Sequence, residues 1–267
     1  MKQTIGILGC GWLGLPLAKS FLEKGYLVHG TTTTKNKIQV LKKEGIVPFL
    51  LQLGTEQSVD ILSQFLDNVS ILIINVPPKL KSDANTNYFD RMVEVHQAIK
   101  KSKTQKVIFV SSTSVYGAVN GKITEETVPC PVTESAKQLI QSENLFKNNT
   151  AIATTIIRFG GLIGLNRHPI KYLSGKTGLK NGKQSVNLIH LEDCIGVIHY
   201  IVHNENWNIV VNGVYPHHPL KKDYYTKVAQ ELGLPLPLYD EDNEEQQKII
   251  TSKYFSDANT YHFKVEI

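Results

Sequence analysis

Short runs of apolar and β-branched residues alternate with amphipathic stretches along the first 165 residues of the chain. The strand-like runs are TIGILG (4–9), YLVHGTT (26–32), VPFLLQL (47–53), ILIINV (71–76), KVIFVSS (106–112) and TTIIRFG (154–160). Helix-like stretches lie at about 15–24, 36–44, 58–67, 87–102 and 133–148. Continuous apolar strands that alternate with helices are typical of a parallel sheet covered on both faces. The pattern therefore predicts an α/β fold with a Rossmann-type, doubly wound parallel sheet.

Beyond residue 165 the alternation is looser. A basic segment extends to about residue 183, and a strand-like VNLIH (186–190) with a helix at 191–203 follows it. VVNGV (210–214) and a helix at 221–232 come next. The tail carries an acidic stretch, DEDNEE (240–245), which we expect to be exposed, and a last strand-like KIITS (248–252). We therefore expect a small C-terminal subdomain beside the main sheet.

Composition and charge narrow the class of protein. The 267 residues are 41% hydrophobic and 20% charged, which are ordinary values for a globular chain. A net charge of +5 does not predict a nucleic-acid partner without a basic stripe and a binding motif. No apolar run reaches the roughly 18 residues of a membrane span. Because Cys10, Cys130 and Cys194 lack metal-binding spacing, we expect reduced cysteines, no metal, and a cytoplasmic protein with no membrane partner.

A glycine-rich turn joins the first strand to the first helix. Its sequence GCGWLG has the G-x-G-x-x-G pattern in the strand–turn–helix context of dinucleotide-binding proteins. The first glycine permits the tight turn, the second lets the backbone approach a pyrophosphate, and the third allows close helix–strand packing. Amide groups at the start of the helix then face the phosphates. The predicted cofactor-binding residues of this turn are Gly9, Cys10, Gly11, Trp12, Leu13 and Gly14.

The end of the second strand bears on the choice between NAD and NADP. An acidic residue at this place holds the ribose 2′-hydroxyl of NAD, but this strand ends GTTTTKNK (30–37) without an acid. Threonine hydroxyls and lysines can instead donate to a 2′-phosphate. Thr32, Thr33, Thr34 and Lys35 therefore predict NADP, with NAD as the less favoured cofactor. A polar turn with solvated lysines is the alternative interpretation.

Further motifs carry a resemblance to a known family. SSTSVYG (111–117) ends the fifth strand, and PVTESAK (131–137) opens the next helix. With GCGWLG, RFGGLIGLNRHP (158–169) and NLIHLEDC (187–194), they resemble the extended short-chain dehydrogenase/reductases, the NAD(P)-dependent epimerase/dehydratase family. The GxGxxG spacing, in place of the usual GxxGxxG, is similar to the atypical branch of that family.

The resemblance implies a division of the chain. It predicts an NAD(P)-binding Rossmann domain at residues 1–165, which also includes the strand and helix at about 184–205. The smaller substrate-side region would comprise residues 166–183 and 206–267.

The resemblance also implies three positions of a reaction site. Ser112 would hold a substrate oxygen, Lys137 would bind the nicotinamide ribose, and the family's catalytic tyrosine corresponds to Thr133. A threonine hydroxyl is far less acidic than a phenol, whose pKa is about 10. We therefore do not expect Thr133 to be the family's proton donor. Tyr116, His190 and Lys137 stay open as substitutes, although His190 is also suited to capping the helix that follows it.

Two other strand ends are predicted to border the cofactor. Asn75, Val76 and Pro77 follow the fourth strand, and ligands bind beyond the carboxyl ends of strands in open α/β sheets. We expect this turn to lie beside the adenine and its ribose, with a plain loop as the alternative. Phe159 and Gly160, within the RFGGLIG motif, are counted as cofactor residues on the family resemblance.

The basic segment after the sixth strand is the candidate substrate contact. Residues 166–184 include one arginine, one histidine and four lysines but no acidic residue. Arg167, His168 and Lys176 are the predicted substrate-binding residues, since such cations can bind an anion. A solvated charged surface is the alternative. The expected partner is a small molecule, for which an anionic nucleotide sugar is one option, and we expect a monomer or a homodimer.

Three functional hypotheses follow. The leading one is an NADP-binding oxidoreductase or epimerase of the atypical extended short-chain type, acting on a carbonyl or nucleotide-sugar-like substrate. The alternative is a non-catalytic protein that senses the NADPH/NADP ratio with the same residues. A β-hydroxyacid-dehydrogenase-like enzyme would need an all-helical C-terminal half, which the strand-like VNLIH and VVNGV disfavour.

Overall fold

A computed structural model describes residues 2–78, 87–240, 247–255 and 260–267 of the chain. The strands are β1 (Thr4–Leu8), β2 (Leu27–Thr32), β3 (Val47–Leu50), β4 (Val69–Ile74), β5 (Lys106–Ser112), β6 (Gly121–Ile123), β7 (Ala153–Phe159), β8 (Gly161–Ile163), β9 (Leu188–His190), β10 (Val210–Gly213) and β11 (Lys248–Ile250). The helices are α1 (Gly14–Glu23), α2 (Lys37–Lys43), α3 (Ser58–Phe65), α4 (Tyr88–Lys100), α5 (Glu134–Lys147), α6 (Ile170–Leu173), α7 (Leu191–His203) and α8 (Lys221–Glu231). A 3-10 turn spans Thr113–Tyr116.

The central sheet has seven parallel strands in the order β10-β7-β5-β4-β1-β2-β3. The chain runs outward from β1 through β2 to β3, then returns to β4 on the other side of β1 and continues outward to β10. The strand order therefore reverses between β1 and β4. In open α/β sheets this point opens a crevice at the carboxyl ends of the strands. The predicted Rossmann-type, doubly wound sheet is confirmed.

Side chains of the central strands alternate between two apolar clusters. On one face, Ile71 and Ile73 of β4 pack in a cluster with residues of α1, α2 and α7. On the other face, Leu72 and Ile74 pack with residues of α3, α4 and α5. Successive strand residues point to opposite faces of the sheet, and helices cover both faces. Both sets of side chains are therefore buried, and the sequence of the strand is a continuous apolar run.

The region after residue 165 is divided between the main sheet and two small sheets. β10 forms one edge of the seven-stranded sheet, although it lies in the range predicted for the smaller region. The predicted strand VNLIH forms β9, which pairs with β8, and the predicted strand KIITS forms β11, which pairs with β6. Ile163, Ile170, Tyr224 and Tyr225 pack in a separate small cluster. The predicted DEDNEE stretch lies outside the described residues apart from Asp240.

Membrane-spanning helices and metal-binding clusters are both absent from the described ranges. No helix there is long and apolar enough to cross a bilayer. No group of three or more His, Cys, Asp or Glu residues is arranged there to hold a metal ion. Cys10 and Cys194 are buried and Cys130 is exposed, and all three are free thiols.

Candidate cofactor and reaction site

The glycine turn lies at the switch point, between the ends of β1 and β4. Gly9 has φ +103°, and a Cβ there would lie 2.7 Å from the carbonyl oxygen of Asn75. A Cβ on Gly14 would lie 2.1 Å from the carbonyl oxygen of Gly9, so α1 approaches the turn too closely for any side chain. A Cβ on Gly11 would meet nothing within 4 Å. Two of the glycines are thus required by packing, and the third borders open space of the kind a ligand needs.

Hydrogen bonds from the neighbouring strands fix the turn. The amide of Gly9 donates to Oγ1 of Thr31 at 2.8 Å, and the amide of Cys10 donates to the carbonyl of Thr31 at 2.8 Å. Nδ2 of Asn75 donates to the carbonyl of Gly9 at 3.3 Å. Burial raises the pKa of the Cys10 thiol to about 12, so this side chain stays a neutral packing group. The turn is therefore held rigidly by β2 and β4 without any ligand.

A cavity of about 520 Å³ opens beside this turn. Its lining residues include most of the predicted adenosine-side positions. These are Gly9, Cys10, Gly11, Thr32, Thr33, Thr34, Asn75, Val76 and Pro77. The hydroxyl of Tyr88 donates to the carbonyl of Val76 at 3.1 Å, which holds the turn after β4 against α4. A second cavity of about 620 Å³, between α3 and α4, includes none of the predicted residues.

The charged residues of the cavity differ from those predicted. Lys35, the predicted cation, is exposed and does not line the cavity, whereas Lys37 at the start of α2 and Arg91 in the first turn of α4 do. No carboxylate is among the described residues that line it. Arg91 was not predicted from the sequence because it lies on α4, a helix that follows β4 and is far along the chain from the threonine run. The cavity is thus positively charged and rich in hydroxyl donors.

The reaction-site loop follows β5 at the same edge of the sheet. Ser112 is half-buried, and its Oγ accepts from the amide of Ser114 at 3.1 Å. The register of β5 and β7 places Ser112 opposite Phe159. A Cβ on Gly160 would lie 2.6 Å from the carbonyl oxygen of Asn187, so the chain after β7 passes tightly beside the residue that precedes β9. Ser112, Phe159 and Gly160 are therefore brought together at the carboxyl edge of the sheet.

A buried polar network supports this loop from within the core. The guanidinium of Arg158 pairs with the carboxylate of Glu143 (Nη2 to Oε2, 2.6 Å) and donates to the hydroxyl of Tyr116 at 3.0 Å. That hydroxyl donates to Oδ1 of Asn212 at 2.9 Å, and Ser111 donates to Glu143. Burial raises the pKa of Tyr116, although the Arg158 charge acts in the opposite direction. Tyr116 is fully buried, so this candidate proton donor has a structural role.

The first turn of α5 gives Thr133 a definite role. Thr133 is the N-cap residue of α5, and its Oγ1 accepts from the amide of Ala136 at 3.3 Å. Hydroxyl side chains are favoured at this position because they satisfy an amide that has no partner within the helix. Lys137 is exposed, and Gln141 and Asn144, one and two turns later, are exposed on the same face. Lys137 thus lies opposite the buried stripe of the helix.

The other candidate proton donor, His190, is also a cap. It is the N-cap residue of α7, and its Nδ1 accepts from the amide of Glu192 at 3.3 Å. Asp193, next along the helix, is buried and accepts from the hydroxyl of Tyr261 and the amide of Lys264, both at 2.7 Å. The NLIHLEDC motif therefore starts α7 and anchors the C-terminal tail to it.

The three predicted substrate residues are dispersed. The guanidinium of Arg167 lies over the ring of Trp12, with its Cζ 4.9 Å from the ring centroid. Both ring nitrogens of His168 contact the protein: Nδ1 accepts from the amide of Ile170 at 3.2 Å, and Nε2 lies 3.0 Å from the hydroxyl of Tyr224. Lys176 is exposed at the surface. Of the three, Arg167 is the one that reaches the glycine turn.

Lys248 is a residue of this edge that the sequence analysis did not identify. Its Nζ donates to the carbonyl of Gly117, the last residue of SSTSVYG, at 2.6 Å. The side chain is half-buried, and burial lowers its pKa. No carboxylate contacts its ammonium within the part of the chain that the structure describes. No local sequence signal could have found it, because β11 reaches the loop only in the folded chain.

Comparison with known proteins identifies the family. The model of the NAD dependent epimerase/dehydratase family matches residues 5–212. Protein YeeZ of Escherichia coli (strain K12) is 34% identical over 240 residues, which cover 89% of this chain and 86% of that protein. A UDP-glucuronic acid 4-epimerase from Bacillus cereus, solved in complex with NAD, superimposes with a TM-score of 0.81 at 20% identity over 99% of this chain and 92% of its own.

A functionally unknown conserved protein from Silicibacter pomeroyi DSS superimposes with a TM-score of 0.73 at 22% identity over 94% of this chain and 89% of its own. At these identities the two structures show the same fold and no more. The family match covers most of the chain and agrees with the motifs that carry the resemblance. The chain belongs to the NAD-dependent epimerase/dehydratase family.

Proposed function

We propose that the protein is an NADP-binding oxidoreductase of this family that acts on the carbonyl or hydroxyl group of a small molecule. The observation that carries the choice of NADP is the cavity beside the glycine turn, which is lined by Lys37, Arg91 and four threonines, with no carboxylate among its described lining residues. The family match and the open space at Gly11 support dinucleotide binding itself.

The charge of the cavity favours a 2′-phosphate on physical grounds. A phosphate monoester carries a charge of about −1.5 to −2 at pH 7. Hydrogen bonds to charged groups contribute about 1.5–3 kcal/mol each, and an arginine can bind two phosphate oxygens at once. NAD, with a neutral 2′-hydroxyl, would find no described carboxylate to accept from it here. One phosphate contact therefore amounts to roughly a 10- to 150-fold preference for NADP.

The reaction would use the carboxyl edge of the sheet. The cofactor, when bound, would supply or accept a hydride at its nicotinamide. Ser112, at the end of β5, would hold the reacting substrate oxygen by a hydrogen bond, as in the family. Thr133 and His190 are helix caps and Tyr116 is a buried core hydroxyl, so all three have structural roles. We assign proton transfer to Lys248, because the hydrogen bond to Gly117 holds its ammonium against the loop after β5 and burial lowers its pKa.

Titration calorimetry with NADPH and NADH tests the cofactor proposal. We expect wild type to bind NADPH at least tenfold more tightly than NADH. Arg91→Gln and Lys37→Ala should weaken NADPH binding and leave NADH binding unchanged. Lys42→Ala, an exposed lysine on α2 that does not line the cavity, is the matched control. Tighter binding of NADH, or no saturable binding of either cofactor, would refute the proposal.

A non-catalytic NADPH sensor is the second candidate. The observation in its favour is that Thr133 caps α5, at the position that the family resemblance assigns to the catalytic tyrosine. The two candidates differ in turnover, so wild type is incubated with NADPH and a panel of carbonyl compounds and nucleotide sugars. NADPH consumption that disappears in Ser112→Ala would refute the sensor. Tight NADPH binding without consumption of any panel compound would favour it.

A further inference from the structure

We infer that Arg167 belongs to the cofactor site, where its guanidinium binds the pyrophosphate of the dinucleotide. The inference rests on the proposed function. It gives a cofactor role to a residue of the basic segment that follows β8, whose motif had suggested a substrate contact. Three features of the structure support this role: the turn that carries Arg167, its contact with Trp12, and the absence of an ion pair with a described carboxylate.

Arg167 lies on a tight turn that is fixed against the glycine loop. The amide of Gly164 donates to the carbonyl of Arg167, and the amide of Arg167 donates to the carbonyl of Gly164, both at 2.9 Å. Asn166 takes the left-handed conformation, with φ +60°, that closes the turn. The indole Nε1 of Trp12 donates to the carbonyl of Leu165 at 3.2 Å. The backbone that carries Arg167 is therefore tied to the residue that follows Gly11.

Stacking on Trp12 sets where the guanidinium can lie. Its Cζ is 4.9 Å from the centroid of the indole ring, a typical cation–π distance. The backbone amides of Trp12 and Leu13 donate to no protein acceptor within the described residues. Amides at this position of a dinucleotide-binding turn face the pyrophosphate. The same residue thus offers its amide to the phosphates and its ring to the guanidinium.

The electrostatic surroundings leave the guanidinium available for an anion. Residues 166–184 contain no aspartate or glutamate. Within the part of the chain that the structure describes, no carboxylate forms an ion pair with Arg167. A pyrophosphate presents pairs of oxygens that match the two-pronged geometry of a guanidinium. The ring of Trp12 holds the planar side chain in place but leaves its charge unneutralised.

The assignment divides the cofactor between two sets of cations. Arg91 and Lys37 lie at the adenosine cavity and would bind the 2′-phosphate, which NADP has and NAD lacks. Arg167 lies at the glycine turn and would bind the pyrophosphate, which both cofactors have. The two roles can be separated with 2′,5′-ADP, which has the 2′-phosphate and a single 5′-phosphate but no pyrophosphate. A substrate-binding role for Arg167 would affect none of these ligands.

Calorimetric titration of wild type, Arg167→Ala and Arg167→Lys with NADP⁺, NAD⁺ and 2′,5′-ADP tests the assignment. We expect Arg167→Ala to weaken NADP⁺ and NAD⁺ binding by the same factor, about 10- to 100-fold, and 2′,5′-ADP by threefold at most. Arg167→Lys should recover part of the lost affinity, because lysine keeps the positive charge but cannot bind two phosphate oxygens at once as a guanidinium does. Lys180→Ala, an exposed lysine of the same segment, is the matched control and should change nothing.

Each contrary outcome has a distinct meaning. If wild type binds NADP⁺ and Arg167→Ala binds it equally well, the pyrophosphate assignment is refuted and the cofactor proposal stands. If Arg167→Ala weakens 2′,5′-ADP as much as NADP⁺, Arg167 acts on the 2′-phosphate or on the fold of the turn, and the assignment is again refuted. If wild type binds neither cofactor, the proposed function fails first. Thermal unfolding of each variant verifies that the fold is intact.

Discussion

The open space at Gly11 allows one substitution to separate folding from cofactor binding. A Cβ added there meets nothing within 4 Å, and Gly11 is not among the glycines with positive φ. Gly11→Ala should therefore fold normally. Where the backbone can accept alanine, this change stabilises a protein by about 0.4–1 kcal/mol through the unfolded chain. The methyl group would stand where the second glycine of the motif lets a pyrophosphate approach the backbone.

The expected cost to binding follows from the contacts that the methyl group displaces. Losing one or two charge-assisted hydrogen bonds from the amides of the turn costs about 1.5–3 kcal/mol each, so the Kd for NADPH should rise at least 10-fold. Calorimetry measures the Kd, and thermal denaturation without ligand measures stability. Gly14→Ala is the contrasting variant, because its Cβ would lie 2.1 Å from a backbone oxygen and must disturb the fold. Wild-type affinity in a stable Gly11→Ala protein would refute the placement of the pyrophosphate at this turn.

Three further predictions concern the core, acid stability and proton transfer. Glu143→Ala should destabilise the protein by about 3–5 kcal/mol in urea denaturation, because it leaves the buried Arg158 unpaired; a loss below 1 kcal/mol would contradict this. Burial lowers the pKa of His199 to about 4, so between pH 6.5 and 4 the unfolded chain binds a proton that the folded protein does not. The free energy of unfolding should therefore fall over this pH range. Thermal melts of His199→Gln should show much less of that fall. Lys248→Met should lower kcat about 100-fold or more. Lys122→Met, on the paired strand β6, is the control. A pH–rate profile of Lys248→Met that matches wild type would exclude Lys248 as the proton donor.

The sheet was predictable because its strands are buried on both faces. The runs at 106–112 and 71–76 contain the uninterrupted apolar stretches VIFV and ILII, and β5 (Lys106–Ser112) matches the prediction while β4 (Val69–Ile74) begins two residues earlier. The elements that escaped prediction are short. β6, β8 and α6 have three or four residues each, too few for a period of 2 or 3.6 to be visible. Their conformation depends on partners that are distant in the sequence.

The candidate site was predictable where its residues are local to a motif. Gly9, Gly11 and Gly14 carry their own conformational requirements, so the pattern alone located the turn. Arg91 and Lys248 reach the site from α4 and β11, and no spacing in the sequence connects them with the glycine turn or the loop after β5. Such contacts are set by how the helices and small sheets pack on the main sheet. The same holds for the role of Thr133, whose hydroxyl is visible in the sequence but whose capping bond is not.

The i, i+4 pairs in the first turns of α5 differ in the side of the helix on which they lie. The pair that corresponds to the family motif is Thr133 and Lys137. Thr133 caps the helix, and Lys137 is exposed on the side opposite the buried stripe. Two residues further on, Ser135 and Leu139 form a pair on the side of the buried stripe; Ser135 is half-buried and Leu139 is 4% exposed. Neither carries an acid or an ammonium group. The inward side of α5 therefore offers no phenol–lysine pair.

This geometry makes a definite prediction for Lys137→Ala. We expect its affinity for NADPH to stay within about threefold of wild type, because Lys137 is exposed on the side of α5 opposite the buried stripe. The family resemblance implies the opposite, since its lysine would bind the nicotinamide ribose. Loss of that lysine would then weaken the binding of NADPH but not that of 2′,5′-ADP, which lacks this ribose. Titration of both ligands decides between the two. A loss confined to NADPH would show that α5 presents Lys137 to the cofactor, and unchanged binding of both would mean that the protein holds its cofactor without the family's lysine.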